Sequence, residues 1–241
     1  PIIIGECDPE GCAACREPRN AYRNGTMYSS YTAASFSRIL ELADKHAINL
    51  EGALTWAFQF EGQPPFAGFR ALATDGIDLP VLNVFRMFSK MNGLRVTTQS
   101  TGSISTNSII EKGVRGQPDI SAYSSMDGDT LSVMVWHYHD DDVREPGALV
   151  KLIISGLPGE NGAADLTRYC IDADHSNAYE VWKEMGKPVE LSPDLRAKLQ
   201  AVGQLAECES PRSLPVTAGN ANISFSLQHQ AVTLLVFDLN R

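Results

Sequence analysis

Hydrophobic positions along this chain change their period twice, and the changes divide it into regions. Ile2, Ile3 and Ile4 form an unbroken β-branched run that ends at Gly5-Glu6, the pattern of a short parallel strand apolar on both faces. A loop rich in Gly, Pro, Arg and Asn follows to Gly25. From Met27 to Ala47 the apolar residues Tyr31, Ala34, Phe36, Ile39, Leu40, Leu42 and Ala43 then fall mostly at helical spacing, with Gly25-Thr26 marking the start. A second strand is predicted over about Leu50 to Phe60. A helix is predicted from Leu79 to Met91, with Pro80 in its first turn, where a missing N–H costs little. Strand, helix, strand, helix is a pair of β/α units. Two such units cannot close a sheet, so in a (β/α)8 barrel they would be the last two. The roughly 150 or more residues of the first six strands are then expected upstream of Pro1.

Beyond Leu94 the period becomes two. Val96, Thr98 and Ser100 alternate with their neighbours, and Ile120 to Ser124 and Leu131 to Tyr138 read as strands joined at Met126-Asp127-Gly128-Asp129, where Asp-Gly signals a hairpin. Leu149 to Ser155, Leu166 to Asp172, Ile223 to Leu227 and Val232 to Leu239 add four strands, the last apolar enough to be covered on both faces. Short strands between Gly, Pro and Asp turns predict a β-sandwich. It is interrupted by helices over Asn177 to Met185 and from Ser192 to about Leu205, with Ser192 as N-cap and Pro193 at the first helical position. The expected fold class is therefore α/β plus all-β: a partial barrel over residues 1–92 followed by a sandwich over 93–241.

Composition narrows the function. The 241 residues are 43% hydrophobic and 20% charged, ordinary globular values, and the net charge of -9 with no basic run argues against a nucleic-acid partner. No apolar stretch approaches the roughly 18 residues needed to span a bilayer, so no membrane partner is expected, and the compartment is left open. Five cysteines, an odd number, do not form a disulfide framework. Cys7, Cys12 and Cys15 have the spacing of three plant-type iron–sulfur ligands but lack the fourth. They are read as free thiols or one local disulfide in a loop rather than a metal site. His137, His139 and Asp140 to Asp142 are read as a solvated strand end with an acidic turn. No cofactor is expected; P-loop, Rossmann and G-x-S-x-G patterns are all missing, which leaves nucleotide, dinucleotide and serine-hydrolase readings without support.

By position alone Glu6 either opens a loop or stands where barrel enzymes keep their chemistry, at the carboxyl end of a strand. Longer motifs bear on that choice. The run LEGALTWAFQFEGQPPFAGFRALATDGIDLPVLNVFRMFSKM (Leu50 to Met91) resembles the last strand, loop and helix of glycoside hydrolase family 39 β-xylosidases. VMVWHYHDDD (Val133 to Asp142) and DADHSNAYEVWKEMG (Asp172 to Gly186) resemble the accessory β-sandwich of the same family, and the motifs occur in family order.

The resemblance makes strands 7 and 8 of a TIM barrel of the two β/α units. It implies that Glu6, in IIIGE, is the nucleophile of a retaining glycosidase, whose two carboxyls stand about 5 to 5.5 Å apart. The acid/base, usually in an Asn-Glu pair, has no match; the chain is expected to carry half of a catalytic pair and to be inactive alone. Trp56 is implied to lie beneath the sugar in the innermost subsite, and Glu61 to bind sugar hydroxyls. Phe66 and Phe69 line the pocket or merely anchor their loop, while His175 and Trp182 are read as structural. The implied substrate is a xylooligosaccharide or small β-xyloside, and the full-length protein is a monomer or a homo-oligomer. Two further readings are an α-L-iduronidase or arabinosidase, for which Arg70 is the only nearby basic residue, and a noncatalytic carbohydrate-binding sandwich protein.

Overall fold

The computed structural model describes residues 1–16, 18–142, 146–158 and 161–239. It opens with β1 (Ile2–Ile4), a 3-10 turn over Pro18–Asn24, α1 (Thr26–Lys45) and β2 (Leu50–Ala53). β1 and β2 pair in parallel, Ile3 opposite Gly52 and Ile4 opposite Ala53, with α1 as the crossover between them. This is the β/α unit that the change of period predicts, and it is consistent with part of a barrel.

The expected strand to Phe60 stops at Ala53, because the following backbone is claimed by the loops instead. The Leu54 N–H still donates to the Ile4 carbonyl of β1, but beyond it the Trp56 N–H goes to a carboxylate and the Phe58 N–H to the Arg70 carbonyl. Ile2, Ile3, Leu54 and Trp56 are all more than half exposed, an apolar face that no described residue covers. The short hairpin β3 (Ala73–Thr74) and β4 (Ile77–Asp78) leads into α2 (Pro80–Phe88), with Pro80 in its first turn as expected.

The remaining strands are β5 (Leu94–Arg95), β6 (Asp119–Asp127), β7 (Thr130–Tyr138), β8 (Ala148–Ser155), β9 (Asn161–Ile171), β10 (Ala206–Glu207), β11 (Arg212–Thr217), β12 (Asn220–Leu227) and β13 (Val232–Asp238). They pair as one continuous path, β5-β6-β7-β13-β9-β11-β12-β8, with β10 on the flank of β9, rather than as two separate sheets. Ile120 and Ala122 of β6 and Val150, Leu152 and Ile154 of β8 pack on one core with Val133, Val135, Leu235 and Phe237, so the sheet curls over on itself.

Three short helices, α3 (Thr106–Lys112), α4 (Ala178–Glu184) and α5 (Pro193–Val202), fill the connections, and Ser192 caps α5 as its sequence predicts. The expected strand over Val96 to Ser100 is irregular. Its hydroxyls bond across instead, Thr98 to Ser124 Oγ at 3.0 Å and Ser100 to the Ile120 carbonyl at 2.6 Å.

The outer face of the sheet carries the helices. Ala33, Ala34, Val84 and Met87 of α1 and α2 share a core with Met134, Trp136, Ile171, Val232 and Leu234. That is why β7 and β13 are buried at nearly every position. It also corrects the reading of a solvated end to β7, since His137 and His139 are 1% and 3% exposed.

Two buried polar hubs fix α1 on the sheet. Asp119 accepts from Arg38 at 3.1 Å, Trp136 Nε1 at 2.9 Å and the Ile104 N–H at 2.8 Å. Gln230, held at φ 53°, accepts from the Ser30 hydroxyl at 2.6 Å and donates to the His139 carbonyl at 2.8 Å. Gln230→Ala takes the side-chain donor from the His139 carbonyl and leaves the Ser30 hydroxyl only the Met27 carbonyl at 3.1 Å, so it is expected to cost about 1–3 kcal/mol in urea unfolding. Adding Ser30→Ala should recover part of that loss, the mark of a coupled pair.

Candidate active site

The site forms at the carboxyl ends of the parallel pair. Glu6 lies two residues beyond β1 and Trp56 three beyond β2, and both are tied to Arg70, whose side chain is wholly buried. Arg70 Nη1 pairs with the Glu6 carboxylate, donates to Asp8 Oδ2 at 2.7 Å, and reaches the Trp56 carbonyl at 3.5 Å. Its Nη2 donates to the Glu10 carbonyl at 2.6 Å. Burial alone would lower the affinity of Arg70 for its proton. The hydrogen bond to Glu6 and the charges of Asp8 and Glu6 outweigh it and raise the pKa, so the guanidinium is a fixed cation.

Asp8 is the other pole. Its side chain is 1% exposed and accepts from Arg70, from the Tyr28 hydroxyl of α1 at 2.9 Å, from Thr55 Oγ1, and from the Trp56 N–H at 2.9 Å. The Glu6 side chain remains 36% exposed, so Glu6 can meet a ligand and Asp8 cannot.

The loop behind them is built on a second buried arginine. Arg23 pairs with Glu10 and donates to the carbonyls of Cys12 at 2.7 Å, Cys15 at 3.1 Å and Gly68 at 3.3 Å. Gly68 sits at φ 86° with the Asn20 carbonyl 3.3 Å from where a Cβ would lie, which suits only glycine. Cys12 and Cys15 form a disulfide, one of the two alternatives the sequence left open. A second disulfide, Cys170–Cys208, links β9 to the segment after β10, so four of the five cysteines pair, where the sequence led to no disulfide framework.

Cys7 is the free thiol. Burial pushes it up to about 11, with the Asp8 charge adding to the shift, so it is neutral at neutral pH. Among the described residues no group of three or more His, Cys, Asp or Glu is placed to hold a metal ion.

The other sequence-selected residues separate. Trp56 is 53% exposed and begins a row of rings, with centroids 5.2 Å to Phe58, 5.9 Å from Phe58 to Phe60, and 4.2 Å from Phe60 to Phe69 in a stack. Glu61 is exposed and lines a cleft of about 580 Å³ with Phe58, Phe60 and Phe69; neither Glu6 nor Trp56 lines that cleft. Phe66 is 5% exposed, held at φ 55°, with its ring 5.0 Å from Trp182 and 5.5 Å from Tyr179. It therefore clamps its loop onto α4. Trp182 Nε1 bonds the Pro188 carbonyl at 2.9 Å and His175 bonds Asp172 at 2.9 Å, contacts internal to that region.

Comparison with known proteins decides the lineage. The family model described as glycosyl hydrolases family 39 matches residues 18–221. The chain belongs to that family. Glu6 and Asp8 lie just before the matched span, so their roles rest on geometry and on the strand motif. Among curated proteins no sequence matches significantly.

Three solved structures show the same fold at 16% identity. The bacterial orthologue of human α-L-iduronidase has a TM-score of 0.75, with 99% of this chain and 41% of that one covered. The GH39 enzyme from Xanthomonas axonopodis pv. citri has a TM-score of 0.71, covering 94% and 43%. A monomeric β-xylosidase from Caulobacter crescentus CB15 has a TM-score of 0.69, covering 95% and 44%. The chain thus spans less than half the length of these three structures. No helix among the described residues is long and apolar enough to cross a membrane.

Proposed function

We propose that the chain contributes the nucleophile half of a retaining glycoside hydrolase that releases xylose from β-1,4-xylooligosaccharides or small β-xylosides. The observation that carries this reading is Glu6, a partly exposed carboxylate at the carboxyl end of a parallel strand, held by a buried arginine that also reaches the backbone carbonyl of the exposed Trp56. In the first step a Glu6 oxygen attacks the anomeric carbon as the bond to the leaving oxygen breaks, and an acid partner protonates that oxygen. In the second step water attacks the same carbon, gives its proton to the partner, now a base, and releases Glu6 as a carboxylate. The partner is proposed to come from polypeptide outside these 241 residues, because similar structures are more than twice as long. Residues 1–92 are assigned to the barrel and the curled sheet from 93 to the accessory sandwich. Trp56 is assigned to the sugar face and Glu61 to a hydroxyl further out; Phe66 acts by fixing the loop that follows Glu61 onto α4.

The geometry of Arg70 bears on the uronide alternative. A residue that recognises a substrate carboxylate must present its guanidinium, and this one is wholly buried and committed to Glu6, Asp8 and the Glu10 carbonyl. The test is release of nitrophenol from p-nitrophenyl β-D-xyloside by the complete gene product, with Glu6→Ala alongside. Turnover that depends on Glu6 supports the reading; turnover of the corresponding iduronide but not the xyloside overturns the xylose assignment.

A further inference from the structure

Asp8 does work that neither the family match nor the sequence motifs point to. It is a carboxylate with 1% side-chain exposure that receives four donors from three parts of the chain: Arg70, Tyr28 of α1, and the hydroxyl of Thr55 with the N–H of Trp56 after β2. Isolated burial of such a charge would be prohibitive, and each donor lowers that cost. Two of the donors lead directly to the site. Arg70 Nη1 is shared between Asp8 and Glu6, so the position of the guanidinium, and with it the Glu6 carboxylate, is set by Asp8. The Trp56 N–H fixes the backbone from which the indole projects.

We infer that Asp8 is a positioning residue that aligns the Glu6 nucleophile through Arg70 and the Trp56 sugar platform through its backbone N–H. The inference rests on the glycosidase reading above. Two consequences follow from the charge balance. Arg70 divides its attraction between two anions, which leaves Glu6 oriented without being fully neutralised; with Asp8 gone, the cation falls wholly on Glu6 and draws it away from attack. The other charged and titratable groups around the pair do not replace Asp8. The Cys7 thiol and the Tyr28 phenol are both pushed above their ordinary values by burial and stay neutral, and the Glu10 carboxylate is paired to Arg23.

The experiment compares Asp8→Asn with the parent in the complete gene product, on p-nitrophenyl β-D-xyloside, in two backgrounds. In the Glu6 background kcat is expected to fall at least tenfold and KM to rise severalfold. In the Glu6→Ala background with sodium azide as external nucleophile, no carboxylate is left to align. Asp8→Asn should then leave the azide-supported kcat within about twofold while the KM increase persists. A fall in azide-supported kcat as large as that in the Glu6 background would show general damage and overturn the inference. Should Asp8→Asn not fold in either background, the Glu6→Ala one included, where Arg70 would lose both anions, Tyr28→Phe removes one Asp8 donor without changing a charge. It is expected to lower kcat two- to fivefold with Glu6 and not at all under azide rescue, and no change in either background would equally overturn the inference. Activity that survives Glu6→Ala without azide would instead refute the nucleophile assignment itself.

Discussion

Replacing Arg70 by methionine is expected to destabilise the chain by about 3–5 kcal/mol, the cost of breaking a buried ion pair from one side. The side chain is wholly buried, so methionine fills part of the space and the loss is electrostatic rather than a cavity. Asp8 would be left with 1% exposure and no cation, and the Glu10 carbonyl would lose its donor. Arg70→Lys should not rescue. One ammonium cannot bridge Glu6, Asp8 and the carbonyls of Glu10 and Trp56 in the fixed fork that a guanidinium provides. Urea unfolding followed by far-UV circular dichroism measures the effect. A loss below about 1 kcal/mol would show that the loop carries its acidic residues without Arg70. Asp8→Asn in the Arg70→Met background should recover part of the stability, because the uncompensated charge is then gone.

The sequence revealed the elements better than it revealed the site. β1, α1, α2 and the capped α5 follow from period and terminal signals, and β7 and β13 from apolar runs. β11 escaped because Pro215 sits within it; a proline reads against a strand, yet this one occupies a place opposite Ala163. The run after Ala53 misled in the other direction. Leu54, Trp56, Phe58 and Phe60 alternate as strand residues do, and only tertiary hydrogen bonding decides that the backbone bonds to loops.

In the candidate site, Glu6 was legible from its strand end together with the family resemblance, and Trp56 from the resemblance alone. Asp8, Arg23 and Arg70 were not, since charged residues in a Gly/Pro-rich stretch ordinarily read as solvated, and nothing local shows that two arginines are buried. Phe66 shows the converse. An aromatic in a pocket-side loop suggests ligand contact, whereas its ring is spent on Tyr179 and Trp182.

Removing the Glu6 carboxylate should have the largest effect on activity. In the complete gene product, Glu6→Ala is expected to lower kcat by on the order of 10⁴-fold or more, the scale seen when a nucleophile is deleted from a covalent mechanism. Because the Glu6 side chain is 36% exposed and Asp8 continues to neutralise Arg70, the variant should keep its fold; unfolding midpoints of the two proteins should lie close together. That contrast with Arg70→Met separates chemistry from scaffolding within one ion-pair network. Azide should restore turnover by attacking the anomeric carbon from the face that Glu6 vacates, giving a glycosyl azide of inverted configuration. On the proposed double displacement, the parent is expected to return the sugar with configuration retained. Proton NMR of the anomeric signal distinguishes the two products. A Glu6→Ala protein that is folded, inactive and rescued by azide with inversion identifies the nucleophile directly. Residual activity above about one tenth of the parent's would place the attacking group elsewhere and leave Glu6 as only the exposed arm of the Arg70 pair.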